Sequence, residues 1–121
     1  MTLPENGGEP VASLSLTSST VDGITVVRVD GVLDATTRAQ FADYLTMAAS
    51  DLILDLAGVT FMDSRALGLI VHRWQASLSA DAKFALIGVE YTKSKVMWIT
   101  GLAQRLPIYE TLEDALAAIN K

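Results

Sequence analysis

The chain has no cysteine. Disulfides, thiol catalysis and cysteine-based metal sites are excluded, and a reducing compartment fits. With a single histidine, His72, a histidine-based metal site is a poor fit, so neither metal nor cofactor is expected. Basic residues are sparse. Nine Lys and Arg against 14 Asp and Glu leave a formal charge of −5, and no basic run occurs. A surface for nucleic acid or an anionic membrane is therefore not expected. No apolar run reaches the ~20 residues needed to span a bilayer. The opening MTLPENGGEP lacks the basic and apolar regions of a secretory signal. A cytoplasmic protein without direct membrane contact is the expectation.

What remains is a chain of 121 residues, half of them hydrophobic, which suits one domain with a real core. Residues 1–12 are rich in Gly, Pro and Glu and read as a flexible tail. The domain is expected over residues 13–121. Its first strand, Ser13 to Thr20, alternates hydroxyl residues with leucine. Val21-Asp22-Gly23 is a hairpin signal, because Asp-Gly supplies positive φ values. Ile24 to Asp30 is the β-branched partner strand. Gly31-Val32-Leu33-Asp34 reads as a loop. Asp34, Thr36 or Thr37 then caps a helix that buries Phe41, Tyr44, Leu45 and Ala48.

The stretch Asp51–Leu78 organises the rest. Leu52–Leu56 is an apolar run flanked by acids and followed by Gly58, a buried strand. A brief loop leads to Asp63-Ser64, good N-cap residues. From there Leu67, Ile70, Val71, Trp74 and Leu78 fall on one helical face. Further on come a polar break (Ser79–Lys83), a strand (Phe84–Val89), a short helix (Thr92–Gly101) and a short strand (Pro107–Tyr109). In that helix Gly101 suits a positive-φ ending. A last helix, Thr111–Asn120, faces inward through Leu112, Leu116 and Ile119, with Thr111 and Asp114 approximating a capping box. The order predicts a small single α/β domain. It has a mostly parallel sheet of four or five strands, an N-terminal β-hairpin and about four helices.

Three places are candidates for chemistry. Ser64 stands at a helix N-terminus, where free N–H groups and the dipole suit a phosphoryl group. It reads equally as a plain N-cap. The face opposite the helix's apolar stripe carries Arg65, Leu69, His72 and Ala76, with Gly68 beside it. A solvated face suits Arg65 and His72; Leu69 and Gly68 suit a surface that another chain approaches. The loops at Gly31–Asp34 and Thr60–Ser64 both follow strands, so Asp34 and Ser64 are expected at the same sheet edge. Asp34 reads equally as a simple cap. Hydrolysis is a poor fit, because His72 lies roughly 12 Å from Ser64 along one helix. Neither GxSxG nor a P-loop is present. The chain is not expected to be an enzyme.

Taken together, Gly31-Val-Leu-Asp34, Leu54-Asp55-Leu56 and Phe61-Met62-Asp63-Ser64 followed by Leu67-Gly68 resemble the STAS domain. Among STAS proteins they resemble the stand-alone bacterial anti-sigma factor antagonists. Ile99-Thr100-Gly101-Leu102, Pro107-Ile108-Tyr109 and Glu113-Asp114-Ala115-Leu116 are similar to that family's C-terminal end. The resemblance implies that Ser64 is phosphorylated by a serine kinase-like anti-sigma factor. The unphosphorylated form would bind that factor and free a sigma factor for transcription, and a phosphoserine phosphatase would restore it. Asp34, Asp63, Ser64, Arg65, Gly68, Leu69 and His72 are the expected partner-binding residues. A homodimer is compatible with the resemblance. The chain departs from the family pattern at Arg65 and Ala66, where small residues are usual; Arg65 sets a cation beside the acceptor. Two alternatives stand beside this reading: a STAS subunit of a lipid-transport ABC assembly, and a nucleotide-binding STAS module.

Overall fold

A computed structural model describes residues 13–120. The expected tail, residues 1–12, lies outside the described residues. Five strands form one sheet in the order β1-β2-β3-β4-β5. These are β1 (Leu14–Val21), β2 (Ile24–Leu33), β3 (Leu52–Met62), β4 (Phe84–Ile87) and β5 (Ile108–Tyr109). β1 and β2 are antiparallel, and every later pair is parallel. The helices are α1 (Arg38–Met47), α2 (Ser64–Ser79), α3 (Lys95–Ile99) and α4 (Leu112–Ile119).

The hairpin forms where Asp-Gly places it. Asp22 and Gly23 take φ values of 52° and 80°, and the two-residue turn closes on Val21 opposite Ile24. Both strands that follow outrun their expected ends. β2 continues through Gly31, Val32 and Leu33, which the sequence reads as loop. β3 continues past Leu56 to Met62, so the expected Thr60–Ser64 loop shrinks to Asp63 alone. The cause is a register irregularity between the two strands, at Arg28/Asp30 and again at Gly31/Val32. Gly58 fits inside it, since a Cβ there would run into the Asp30 carboxylate. A glycine read as a strand breaker instead lets two strands pass closely and go on.

The sheet separates two apolar layers. Alternation along β3 puts Leu52, Leu54 and Leu56 on one side with Phe41 and Leu45 of α1, Leu67 and Ile70 of α2 and Met97 of α3. Ile53 faces the other way, with Ile24, Val26, Ala85, Ile87 and Ala115 of α4. β3 therefore lies mid-sheet, buried on both faces. Each fully buried leucine contributes about 1.5–3 kcal/mol.

Smaller corrections concern the ends. β4 stops at Ile87, two residues before the expected Val89. The expected helix from Thr92 to Gly101 divides into a 3-10 turn (Tyr91–Lys93) and α3, and Gly101 follows at φ 79°. In α4, Thr111 is the N-cap and its hydroxyl accepts from the Asp114 amide at 3.0 Å.

The buried stripe of α2 is rotated from the expected one. Ala66, Leu67, Ile70 and Ser77 are buried. Val71 and Trp74 pack at the flank, half-buried, and Leu78 is 64% exposed. Ser77 can lie inward because its hydroxyl is satisfied: it donates to the Arg73 carbonyl and accepts from the Arg73 guanidinium.

Candidate functional site

The parallel ladder delivers β2 and β3 side by side to one edge, with Val32 opposite Phe61 and Leu33 opposite Met62. The Asp63 amide donates to the Leu33 carbonyl at 2.9 Å. That bond carries the ladder one residue past β3. The chain then turns at once into α2, and Asp63 governs the turn. Its backbone is extended (φ −96°, ψ 174°), and its Oδ1 accepts from the Ala66 amide at 2.8 Å. This is a side-chain N-cap to the third helical residue.

Ser64 is consequently the first residue of α2, one place beyond the cap. It is exposed, and among the described residues its hydroxyl has no hydrogen-bond partner. Of the two sequence readings of Ser64, the plain N-cap is overturned, because Asp63 fills that role. The free amides and dipole of the helix start surround Ser64.

Asp63 also faces α1. Arg38, the first residue of α1, sets Nη2 3.7 Å from Asp63 Oδ2. Both side chains are partly exposed, so the pair contributes about 0–1 kcal/mol. Its geometric effect is larger: it ties the start of α1 to the start of α2. Asp34 precedes α1 at the same edge. Its Oδ1 accepts from the Thr36 amide at 2.9 Å and the Thr36 hydroxyl at 2.6 Å. The Thr36 hydroxyl bond is the main cause that lowers the Asp34 pKa; partial loss of hydration opposes it, and backbone amides and the Arg38 charge add to it. Thr37 is the formal N-cap of α1 but makes no side-chain cap bond. Its hydroxyl donates to Val32 O at 2.8 Å instead, holding the end of β2 to the helix start. Asp34 is thus a turn builder and not the cap.

The expected partner-binding residues do not all behave alike. Arg65, Gly68 and His72 are exposed along α2. A Cβ at Gly68 would meet nothing within 4 Å. Leu69 departs from expectation. It is half-buried and packs against the larger core cluster. The buried stripe is centred nearer Ala66 and Ser77 than the apolar count suggests, so Leu69 sits at its margin, over a shallow groove between α1 and α2.

Three features at this edge were not singled out from sequence. Arg38 acts through a tertiary contact that no local spacing reveals. Phe61, three residues before Ser64, is 51% exposed; alternation from the buried Val59 would turn it inward, and the register shift at Gly31/Val32 turns it out instead. Tyr91 and Trp98 stack edge-to-face with ring centroids 5.3 Å apart, and both remain substantially exposed. The Tyr91 turn contacts β3, and α3 contacts α2. No group of His, Asp and Glu suited to a metal ion occurs among the described residues. No described helix is long and apolar enough to cross a membrane.

Comparison with known proteins agrees with this arrangement. The STAS domain profile matches residues 15–115. An anti-sigma-B factor antagonist of Staphylococcus aureus is 30% identical over 105 residues, covering 84% of this chain and 97% of that protein. The crystal structure of an anti-sigma factor antagonist from Mycobacterium paratuberculosis superposes with a TM-score of 0.79 at 26% identity. That superposition covers 90% of this chain and 96% of the other. SpoIIAA, a Bacillus cell fate determinant solved in its phosphorylated form, shares the fold with a TM-score of 0.59 at 23% identity. There the coverage is 88% of this chain and 99% of the other.

Proposed function

This chain belongs to the STAS domain family, and from that membership we propose that it is an anti-sigma factor antagonist switched by phosphorylation of Ser64. In its unphosphorylated form it binds a kinase-type anti-sigma factor in the cytoplasm and releases a sigma factor. The kinase transfers the γ-phosphoryl group of ATP to Ser64 Oγ, the hydroxyl proton leaves, and ADP is the product. A phosphoserine phosphatase reverses the modification by hydrolysis. Its similarity to anti-sigma factor antagonists supports the role.

One observation carries the assignment of Ser64. The cap belongs to Asp63, so the exposed Ser64 hydroxyl has no structural duty and can be modified without loss of a fold contact. Phosphorylation adds about −1.5 to −2 charge. Inside this domain the charge is tolerated, because it falls on the positive end of α2, next to Arg65 and near Arg38. A partner packed on the same spot would have to desolvate a dianion. The switch therefore acts by blocking an interface while the fold stays intact. That interface comprises Ser64, Arg65, Gly68 and His72, the margin at Leu69, and the adjoining Asp34 and Asp63. Phe61 supplies exposed apolar area to it.

The test is a kinase reaction. With the cognate anti-sigma factor and ATP, mass spectrometry should place phosphate on Ser64. Ser64→Ala should lose the label and keep binding. Phosphate on another residue, or Ser64→Glu binding as tightly as the parent, sinks the mechanism. A partner that proves to be a transporter subunit would favour the lipid-transport reading instead.

A further inference from the structure

The two edges of the sheet are built differently. β5 is only two residues long, and shortness protects an edge. β1 closes the other side with eight residues, Leu14–Val21, reading LSLTSSTV. It holds no charge and no proline. Its pairing with β2 runs from Leu14 opposite Gly31 to Val21 opposite Ile24 without a register shift. The usual devices against edge-to-edge pairing are lysine, proline, a bulge or a cover. The first three are missing from β1. Among the described residues the last is confined to one end, where Gln40 Nε2 donates to the Leu14 carbonyl at 3.0 Å.

The hairpin fixes which groups are unpaired. Its two-residue turn makes Val21 and Ile24 a hydrogen-bonded pair. Odd-numbered residues of β1 therefore bond to β2, as the Ser13 carbonyl does with the Val32 amide at 3.2 Å. Leu16, Ser18 and Thr20 direct their N–H and C=O groups outward. Ser18 is the middle of the three. Beside it Met47, the last residue of α1, is 86% exposed, and Ser18, Tyr44 and Met47 line one shallow concavity.

We propose that a second copy of this chain pairs with this edge, β1 against β1, antiparallel about a two-fold axis at Ser18. Such a pairing is self-complementary: Leu16 faces the partner copy's Thr20, Ser18 faces its own copy, and no like charges meet. The pairing satisfies the outward backbone groups, joins two five-stranded sheets into one, and covers Met47. α1 separates this surface from the Ser64 edge. Arg38 at its start contacts Asp63, while Met47 at its end adjoins Ser18. Nine residues at 1.5 Å rise put the two about 13 Å apart. The dimer thus leaves the Ser64 surface open, and the inference stands whether or not Ser64 is phosphorylated. With few residues in contact it belongs among small, concentration-dependent interfaces.

Sedimentation velocity on the full chain over a concentration series tests it. The parent should pass from monomer to dimer as concentration rises. Ser18→Lys should stay monomeric, because the axis brings two ammonium groups together. Glu110→Lys, beyond the opposite edge, should associate as the parent does. Ser18→Cys supplies the chain's sole cysteine. It should form a disulfide-linked dimer on mild oxidation, since a hydrogen-bonded antiparallel pair has a Cα separation of about 5.5 Å, inside the ~4.4–6.8 Å disulfide range. A parent that is monomeric throughout overturns the proposal, as does a dimer that Ser18→Lys leaves unchanged. Slow hydrogen exchange at the Ser18 amide in the dilute monomer also overturns it, because the edge would then be covered from within the same chain.

Discussion

Arg38 and Asp63 meet at 3.7 Å across the C-terminal edge of the sheet, and Asp63 uses its other carboxylate oxygen to cap α2. One side chain thus does two jobs, and they can be separated. Asp63→Ala removes both and should lower unfolding free energy by about 0.5–2 kcal/mol for the cap plus up to about 1 kcal/mol for the pair. Arg38→Ala removes only the pair. Urea unfolding of both single variants and the double variant forms a cycle, and the coupling between the two sites should fall below about 1 kcal/mol.

Ser64→Ala should behave differently from Asp63→Ala, although the residues are neighbours. The cap does not involve the Ser64 hydroxyl, and exposed substitutions of this kind stay within about ±0.5 kcal/mol. Ser64→Glu should also keep the parent's melting temperature, because an anion at a helix start is favoured. Thermal unfolding followed by circular dichroism checks both. A loss of more than about 1 kcal/mol in Ser64→Ala would mean that Ser64 shares the capping role.

Much of the fold is legible in the sequence, and what is not has definite physical causes. The hairpin at Asp22-Gly23, the switch from strand to helix at Asp63-Ser64 and the cap at Thr111 all depend on neighbouring residues, so local chemistry announces them. The ends of β2 and β3 depend on each other: Gly58 makes room for Asp30, and both strands run on. Large apolar residues alone give the wrong phase for α2. Ala66 is small, and Ser77 is a polar residue made burial-compatible by Arg73. A pattern without these two residues turns Leu78 inward and Leu69 outward, whereas Leu78 is exposed and Leu69 half-buried. The Arg38 contact joins residues 25 positions apart, which no periodicity encodes.

The turn at Asp34 should add an acid-sensitive element to stability. Its carboxyl pKa is lowered below the ordinary 3.8, chiefly by the Thr36 hydroxyl. A folded-state value below the unfolded one means that the ionised form favours folding. That contribution is complete above the unfolded pKa and disappears as pH falls through the lowered value. Asp34→Asn should therefore show a shallower loss of stability than the parent below about pH 4, and the two should run parallel near neutrality. Urea midpoints measured across the acid range test this. Equal slopes in acid would mean that the Thr36 bonds do not favour the charged carboxyl in solution.

Gly68 offers the sharpest separation of fold from binding. It lies inside α2, where glycine costs about 0.8–1.0 kcal/mol relative to alanine. The space for a Cβ is open, so no packing reason requires glycine there. Gly68→Ala should raise stability by roughly that amount, visible as a higher urea midpoint with an unchanged slope. If the anti-sigma factor approaches the helix at this point, the added methyl group occupies the contact and partner affinity should fall even as the fold gains. Leu69→Ala supplies the contrast. That side chain is half-buried against the core, so the variant should lose stability, at the low end of the roughly 2–5 kcal/mol of a buried Leu→Ala change, and weaker binding would then have two causes. Titration calorimetry on Gly68→Ala has only one. A variant more stable than the parent that also binds the anti-sigma factor as tightly would place the interface elsewhere on the domain.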